Sequence, residues 1–162
     1  MPNQINIRNV QQTDNPILAK IIRSIFIEHN APTEGTVFVD PTTDALFELF
    51  QTQKAQLWTA ELNGEIVGCC GIFPTTNLPK GCVELVKFYL KKSARGIGIG
   101  RLLMEKSIAV AKEYGFTEMY IESLPHYAKA VDMYEQYGFK HLKSALGNSG
   151  HTGCNIWMIK SL

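Results

Sequence analysis

Three glycines in five residues, Gly96-Ile-Gly-Ile-Gly100, flanked by Arg95 and Arg101, constrain this chain more than any other segment. They follow a strand-like apolar run, Cys82-Val-Glu-Leu-Val-Lys-Phe-Tyr-Leu90. They precede residues 98–114, where Ile99, Leu102, Leu103, Val110 and Tyr114 recur at helical spacing and Gly115 stands as the stop. A strand that turns through glycines into a helix calls for a layered α/β structure. It also builds an anion site. Glycine lets the backbone approach a ligand closely, and the first turn of a helix offers free N–H groups at the positive end of its dipole.

The rest of the chain frames that loop. Residues 4–10 alternate as a strand. Residues 14–29 predict a helix with Asp14 as N-cap and Pro16 in its first turn. A second helix is predicted over about 42–53. Residues 55–62 and 66–73 predict a hairpin closed by Asn63-Gly64. After the glycine loop and its helix come a strand over 117–123, a helix over 126–137 ended by Gly138, a strand opened by Phe139, and a last strand over Cys154–Lys160. The predicted order is β-α-α-β-β-β-α-β-α-β-β, a mixed sheet with helices on its faces, α/β or α+β in class. With 162 residues and no low-complexity linker, the expectation is one domain over 1–162.

Which phosphate ligand the loop holds follows from its spacing. No Lys-Ser/Thr follows the glycines, so a nucleoside-triphosphate loop fails. The dinucleotide fingerprint is a nearer miss, but it follows its strand directly and usually early in a domain. Here a polar stretch, Lys91-Lys-Ser-Ala-Arg95, intervenes. Arg95-x-x-Gly98-x-Gly100 matches a pyrophosphate signature for coenzyme A. Farther on stand Ala130-Val-Asp-Met-Tyr134 and Glu135-Gln-Tyr-Gly-Phe139. With these segments the sequence resembles the GNAT acyltransferase superfamily over nearly its whole length.

The resemblance implies a mixed six- to seven-stranded sheet flanked by about four helices, and transfer of an acetyl group from acetyl-CoA to an amine. It implies pyrophosphate binding by the backbone of Arg95, Gly96, Ile97, Gly98, Ile99, Gly100 and Arg101. It places the pantetheine arm beside Phe88, Tyr89 and Leu90, whose N–H groups are candidates to polarise the thioester carbonyl. Donors aimed at a developing oxyanion are worth about 3 kcal/mol each. Tyr134 is the candidate proton donor to the leaving thiolate, with Tyr127 and Ala130 on the same helix face as further cofactor contacts. Many relatives carry Asn at the Tyr127 position, an amide that Tyr cannot supply. Glu84, eleven residues before Arg95, is the candidate base, which needs a raised pKa or a relaying water. A non-catalytic acyl-CoA-binding module on the same fold is the alternative. The resemblance is also compatible with a homodimer, an assembly common in the family.

Composition bounds the partners. Lys and Arg number 16 against 15 Asp and Glu, a net charge of +1 that argues against a nucleic-acid binder. Lys87, Lys91, Lys92, Arg95 and Arg101 nevertheless cluster around the loop. Cys69, Cys70, Cys82 and Cys154 lack metal-ligand spacing and read as reduced thiols, two of them, Cys82 and Cys154, in strands. The polar start and the lack of a long apolar run predict a cytoplasmic protein without a membrane span or a metal. The resemblance implies that residues about 26–40 and 146–153 select the acceptor. Glu28, Glu34 and Asp40 there would favour a cationic amine.

Overall fold

The computed structural model describes residues 2–162. Seven strands form one mixed sheet: β1 (Ile5–Asn9), β2 (Gln56–Leu62), β3 (Glu65–Phe73), β4 (Cys82–Leu90), β5 (Glu118–Ser123), β6 (Lys140–Leu142) and β7 (Ile156–Ser161). Their order across the sheet is β1-β2-β3-β4-β5-β7-β6. Neighbouring strands are antiparallel except β4 and β5. The helices are α1 (Asn15–Glu28), the single turn α2 (Leu46–Leu49), α3 (Ile99–Glu113) and α4 (Ala128–Gln136). The predicted order of elements and the mixed sheet agree with this architecture. The Asn63-Gly64 turn has both φ angles positive, 52° and 84°, as a two-residue hairpin turn of that type requires.

A core lies on each face of the sheet. On one face α1 packs Leu18, Ile22 and Phe26, at most 2% exposed, onto Leu57 and Cys69. Each such side chain stabilises the fold by about 1.5–3 kcal/mol when fully buried. On the other face Leu103, Met104 and Ala111 of α3 pack with Val83, Leu85 and Met119 of the sheet and Val131 and Tyr134 of α4.

Four local expectations change. Asp14 precedes α1 but does not cap it. Its carboxylate is drawn away to Arg8 (2.8 and 3.0 Å), the Gln11 N–H and the Thr59 hydroxyl. The predicted helix over 42–53 breaks into a 3-10 turn, Pro41–Asp44, and α2, because Ala45 leaves helical geometry (φ −136°, ψ 48°). Asp40 caps the first piece, and the Asn15 side chain accepts from the Phe47 N–H. Leu102 is 43% exposed, and Met104, Ser107 and Ala111 take the inner stripe of α3 instead. Cys154 lies in the loop before β7, not in a strand.

Candidate active site

The site begins with a gap in the sheet. Parallel pairing of β4 with β5 holds for three residues only, Cys82–Glu118, Val83–Met119 and Glu84–Tyr120. Beyond Glu84 the two strands part and leave a cleft of about 830 Å3 between residues 84–90 and 121–124. The inner edge of β4 there has no strand partner. Lys91 donates its N–H to Val67 of β3, so by alternation Leu90 and Phe88 turn their main-chain groups toward the gap and Tyr89 turns its own toward β3.

A bulge sets the side chains around that gap. Gly71 pairs with Val86 and Cys69 with Tyr89, so β4 has one residue more than β3 between those pairs. Lys87 sits in the bulge at φ 55°. Before it Val83 and Leu85 face the α3 side; after it Phe88 and Leu90 do. Val86 and Tyr89 face α1.

At one end lies the glycine loop. Gly98 is the N-cap of α3 in the left-handed region (φ 95°), and no side chain caps the helix. The Leu102 N–H makes the first helical bond, to Gly98, leaving the N–H groups of Ile99, Gly100 and Arg101 without helical acceptors. A Cβ added at Gly96 or Gly98 would meet nothing within 4 Å. Lys92, Arg101 and Lys129 bring cations to this end of the cleft. Arg95 lines it too, but its guanidinium is committed to protein partners. It donates to both Glu28 oxygens (2.6 and 2.9 Å) and to the Leu90 carbonyl (3.1 and 2.8 Å), so it ties the end of α1 to the loop. Ile97 points outward, 39% exposed, and the Ile99 side chain is buried in the core; neither side chain lines the cleft.

The middle of the cleft is aromatic. Tyr134 on α4 is 5% exposed and packs edge-on against Phe88 (6.2 Å between rings) and Phe139 (5.9 Å). Burial pushes its phenol above the ordinary value, so it holds its proton at neutral pH. Ala130 lines the same wall. Tyr127 departs from the expected shared face. It ends a 3-10 turn before α4 and packs edge-on against Phe26 (5.7 Å) and His29 (5.3 Å), on the α1 side. Its hydroxyl is buried without a partner among the described residues.

The far end is polar. Glu84 is 4% exposed, and burial pushes its carboxyl up to about 7. The Thr75 hydroxyl, donating to it at 2.6 Å, and the nearby Lys87 hold that rise back, while the charge of Glu122 adds to it. Glu122 accepts from the Tyr120 hydroxyl (2.7 Å) and from the Ser149 hydroxyl. His151 bonds Asp40 at 2.8 Å. Burial would raise the Asp40 carboxyl, but the bonds from Thr42 and His151 outweigh it and hold it down at about 2. These contacts join the two segments expected to select the acceptor. Gly153 donates its N–H to the Gly35 carbonyl at 2.7 Å, an approach so close that a Cβ on Gly153 would stand 2.5 Å from the Glu34 carbonyl oxygen. Burial raises the Cys82 thiol to about 11 and the Cys154 thiol to about 12, so neither is a thiolate nucleophile at neutral pH.

Sequence reasoning missed parts of the cleft. Thr75 and Lys129 carry no motif, Glu122 matched only the ribose-binding acid of the rejected dinucleotide fingerprint, and the roles of all three depend on contacts between distant segments. Lys87, counted with the basic cluster, is 7% exposed and lies toward the polar end of the cleft, and Lys91 is paired with Glu65 at 2.8 Å. A polyphosphate with a long apolar arm fits the residues present: uncapped N–H groups and cations at one end, aromatic walls between, and a buried carboxyl beyond.

Comparison with known proteins agrees with this geometry. Residues 22–139 match the model of the Acetyltransferase (GNAT) family. Over 162 residues the chain is 32% identical to the uncharacterized N-acetyltransferase YjgM of Escherichia coli (strain K12), covering 99% of this chain and 97% of that protein. An acetyltransferase of GNAT family from Staphylococcus aureus Mu50 superposes with a TM-score of 0.82 at 23% identity, covering 98% of this chain and 99% of the other. A GNAT superfamily phosphinothricin acetyltransferase from Sinorhizobium meliloti, solved in complex with acetyl-CoA, gives 0.76 at 18% identity, with 98% and 88% covered. The family match spans most of the chain, and the split sheet with its glycine loop has the same fold as these structures: the chain belongs to the acetyltransferase (GNAT) family.

Proposed function

We propose that this protein transfers the acetyl group of acetyl-CoA to a primary amine, on a small molecule or a peptide, by direct attack while both substrates are bound. One observation carries the reading. A single cleft runs from the free N–H groups of α3, past the Tyr134 hydroxyl, to a buried carboxyl held near neutrality, Glu84.

Acetyl-CoA supplies an activated acyl group as a thioester. The chain's residues do the rest. The backbone of residues 95–101 binds and orients the phosphates, with Lys92, Arg101 and Lys129 adding charge. Arg95 acts mainly as a brace for that loop. The N–H groups of Phe88 and Leu90 donate into the gap, where each donor to a developing oxyanion is worth about 3 kcal/mol. Glu84 takes a proton from the attacking amine, directly or through a water, and a pKa of about 7 suits that task. Tyr134 holds a proton ready for the leaving sulfur. The reading needs no metal and no nucleic acid, and it calls for the acetyl-CoA of the cytoplasm.

The test is release of free coenzyme A from acetyl-CoA with a panel of primary amines. Amine-dependent release is expected. Tight coenzyme A binding with no release on any amine would overturn the reading in favour of a non-catalytic acyl-CoA-binding module.

A further inference from the structure

Four carboxylates that line or adjoin the cleft are engaged by the protein itself. Glu28 is held by Arg95, Asp40 by Thr42 and His151, Glu84 by Thr75, and Glu122 by Tyr120 and Ser149. Glu34 is exposed on its loop. The three acids expected to attract a cationic amine are therefore bonded internally or turned to solvent.

Lys87 is the opposite case. Its main-chain carbonyl accepts from Cys69 Sγ at 3.1 Å. Its side chain is buried and lines the cleft, yet no carboxylate or carbonyl lies within bonding reach of its ammonium among the described residues. Two costs are concentrated here. A left-handed backbone at a non-glycine residue is strained, and taking an ammonium out of water is unfavourable. A glycine or asparagine would make the bulge without either side-chain cost. The charges of Asp40 and Glu84 offset part of the second cost through space, but neither meets the ammonium directly, so an unpaired cation is left facing the cleft.

We infer that Lys87 is a subsite for an anionic group on the acceptor, so the acceptor is an amino-carboxylate such as a free amino acid, not a polyamine. This rests on the acetyl-transfer reading above. Glu84 and Lys87 stand three positions apart on β4. Each lies within the other's electrostatic field, but the two do not form an ion pair. Both line the same cleft, so a zwitterion would bind there with its amine toward Glu84 and its carboxylate toward Lys87. Burial makes the pairing strong, because a charge-assisted contact in a water-poor cleft is worth more than an exposed one.

The experiment uses L-amino acids, each matched with its own carboxamide, as acceptors for the full chain and for Lys87→Met. The wild-type chain should favour the carboxylate at least tenfold in kcat/KM, although the amide has the less basic and more readily deprotonated amine. Lys87→Met should erase that preference, read as the ratio of the two kcat/KM values, whatever the substitution does to the absolute rate through Glu84. Equal or faster wild-type turnover of the amides would overturn the inference and leave acetyl transfer standing; this comparison needs no variant to fold. If neither series releases coenzyme A but another amine of the broader panel does, the inference falls and acetyl transfer stands; if no amine of any class does, the acetyl-transfer reading fails. Calorimetric titration of the same amino acids into the protein with coenzyme A then decides the subsite. Binding lost in Lys87→Met would support it, and binding absent or insensitive to the substitution would overturn it.

Discussion

Glu84 and Tyr134 line one cleft and are shifted by the same cause, burial, toward different uses. Burial holds the carboxyl near the point where it can both take and release a proton, and keeps the phenol protonated. Glu84→Gln should lower kcat/KM about 100-fold, within the usual range for a general base. The rise of wild-type activity through pH of about 7 should disappear with it, as a pH–rate profile would show. Stability supplies an independent check. The folded-state pKa of Glu84 lies above its unfolded value of 4.5, so the folded chain retains a proton that the unfolded chain has released. That contribution is complete below pH 4.5 and is lost as pH rises to about 7. Glu84→Gln should therefore melt higher than wild type at pH 8 and converge with it near pH 4.5. Tyr134→Phe should lower kcat about 100-fold with the KM for acetyl-CoA nearly unchanged. Wild-type turnover in that variant would reduce Tyr134 to packing against Phe88 and Phe139.

Among the elements, the loop entering α3 concentrates the phosphate chemistry. Gly98→Val forces a β-branched residue into φ 95° and projects a side chain into open space beside the free N–H groups. It should raise the KM for acetyl-CoA at least tenfold and leave kcat within a few-fold, read by steady-state kinetics. This loop was legible in the sequence because its function depends on local backbone conformation, which glycine spacing reports directly. The hairpin at Asn63-Gly64 was legible for the same reason. The β4 bulge was not, because no residue type announces it and Lys87 is a poor left-handed residue. Its effect, moving Phe88 and Leu90 onto the face of Val83 and Leu85, is a change of parity that an apolar run conceals. The helix predicted over 42–53 failed for a related reason: Asn15, far away in sequence, reaches in to accept from the Phe47 N–H. Leu102 matched a helical stripe that tertiary packing had no room to bury.

At the scale of the molecule, the sheet is two plates, β1–β4 and β5–β7–β6, joined by three residue pairs. The contact of Gly35 with Gly153, just before β7, spans the space those pairs leave open, and the tie between Glu28 and Arg95 braces the glycine loop on the β4 side. None of these links could be read from spacing, since each joins segments that only the fold brings together. The split has a consequence for isotope exchange. Central strands are ordinarily the slowest parts of a protein to exchange their amide hydrogens, and edge strands are the liability that invites aggregation. Here β4 is central, yet from Phe88 onward its inner side is an edge sealed within the molecule. The walls of the cleft shield that edge from another protein's sheet while leaving it open to a slender ligand. The amides of Phe88 and Leu90 should exchange quickly in the free protein, at rates typical of a loop, while that of Tyr89, facing β3, stays slow. Coenzyme A should slow the first two selectively. Uniform protection along β4 without ligand would mean that the edge is closed.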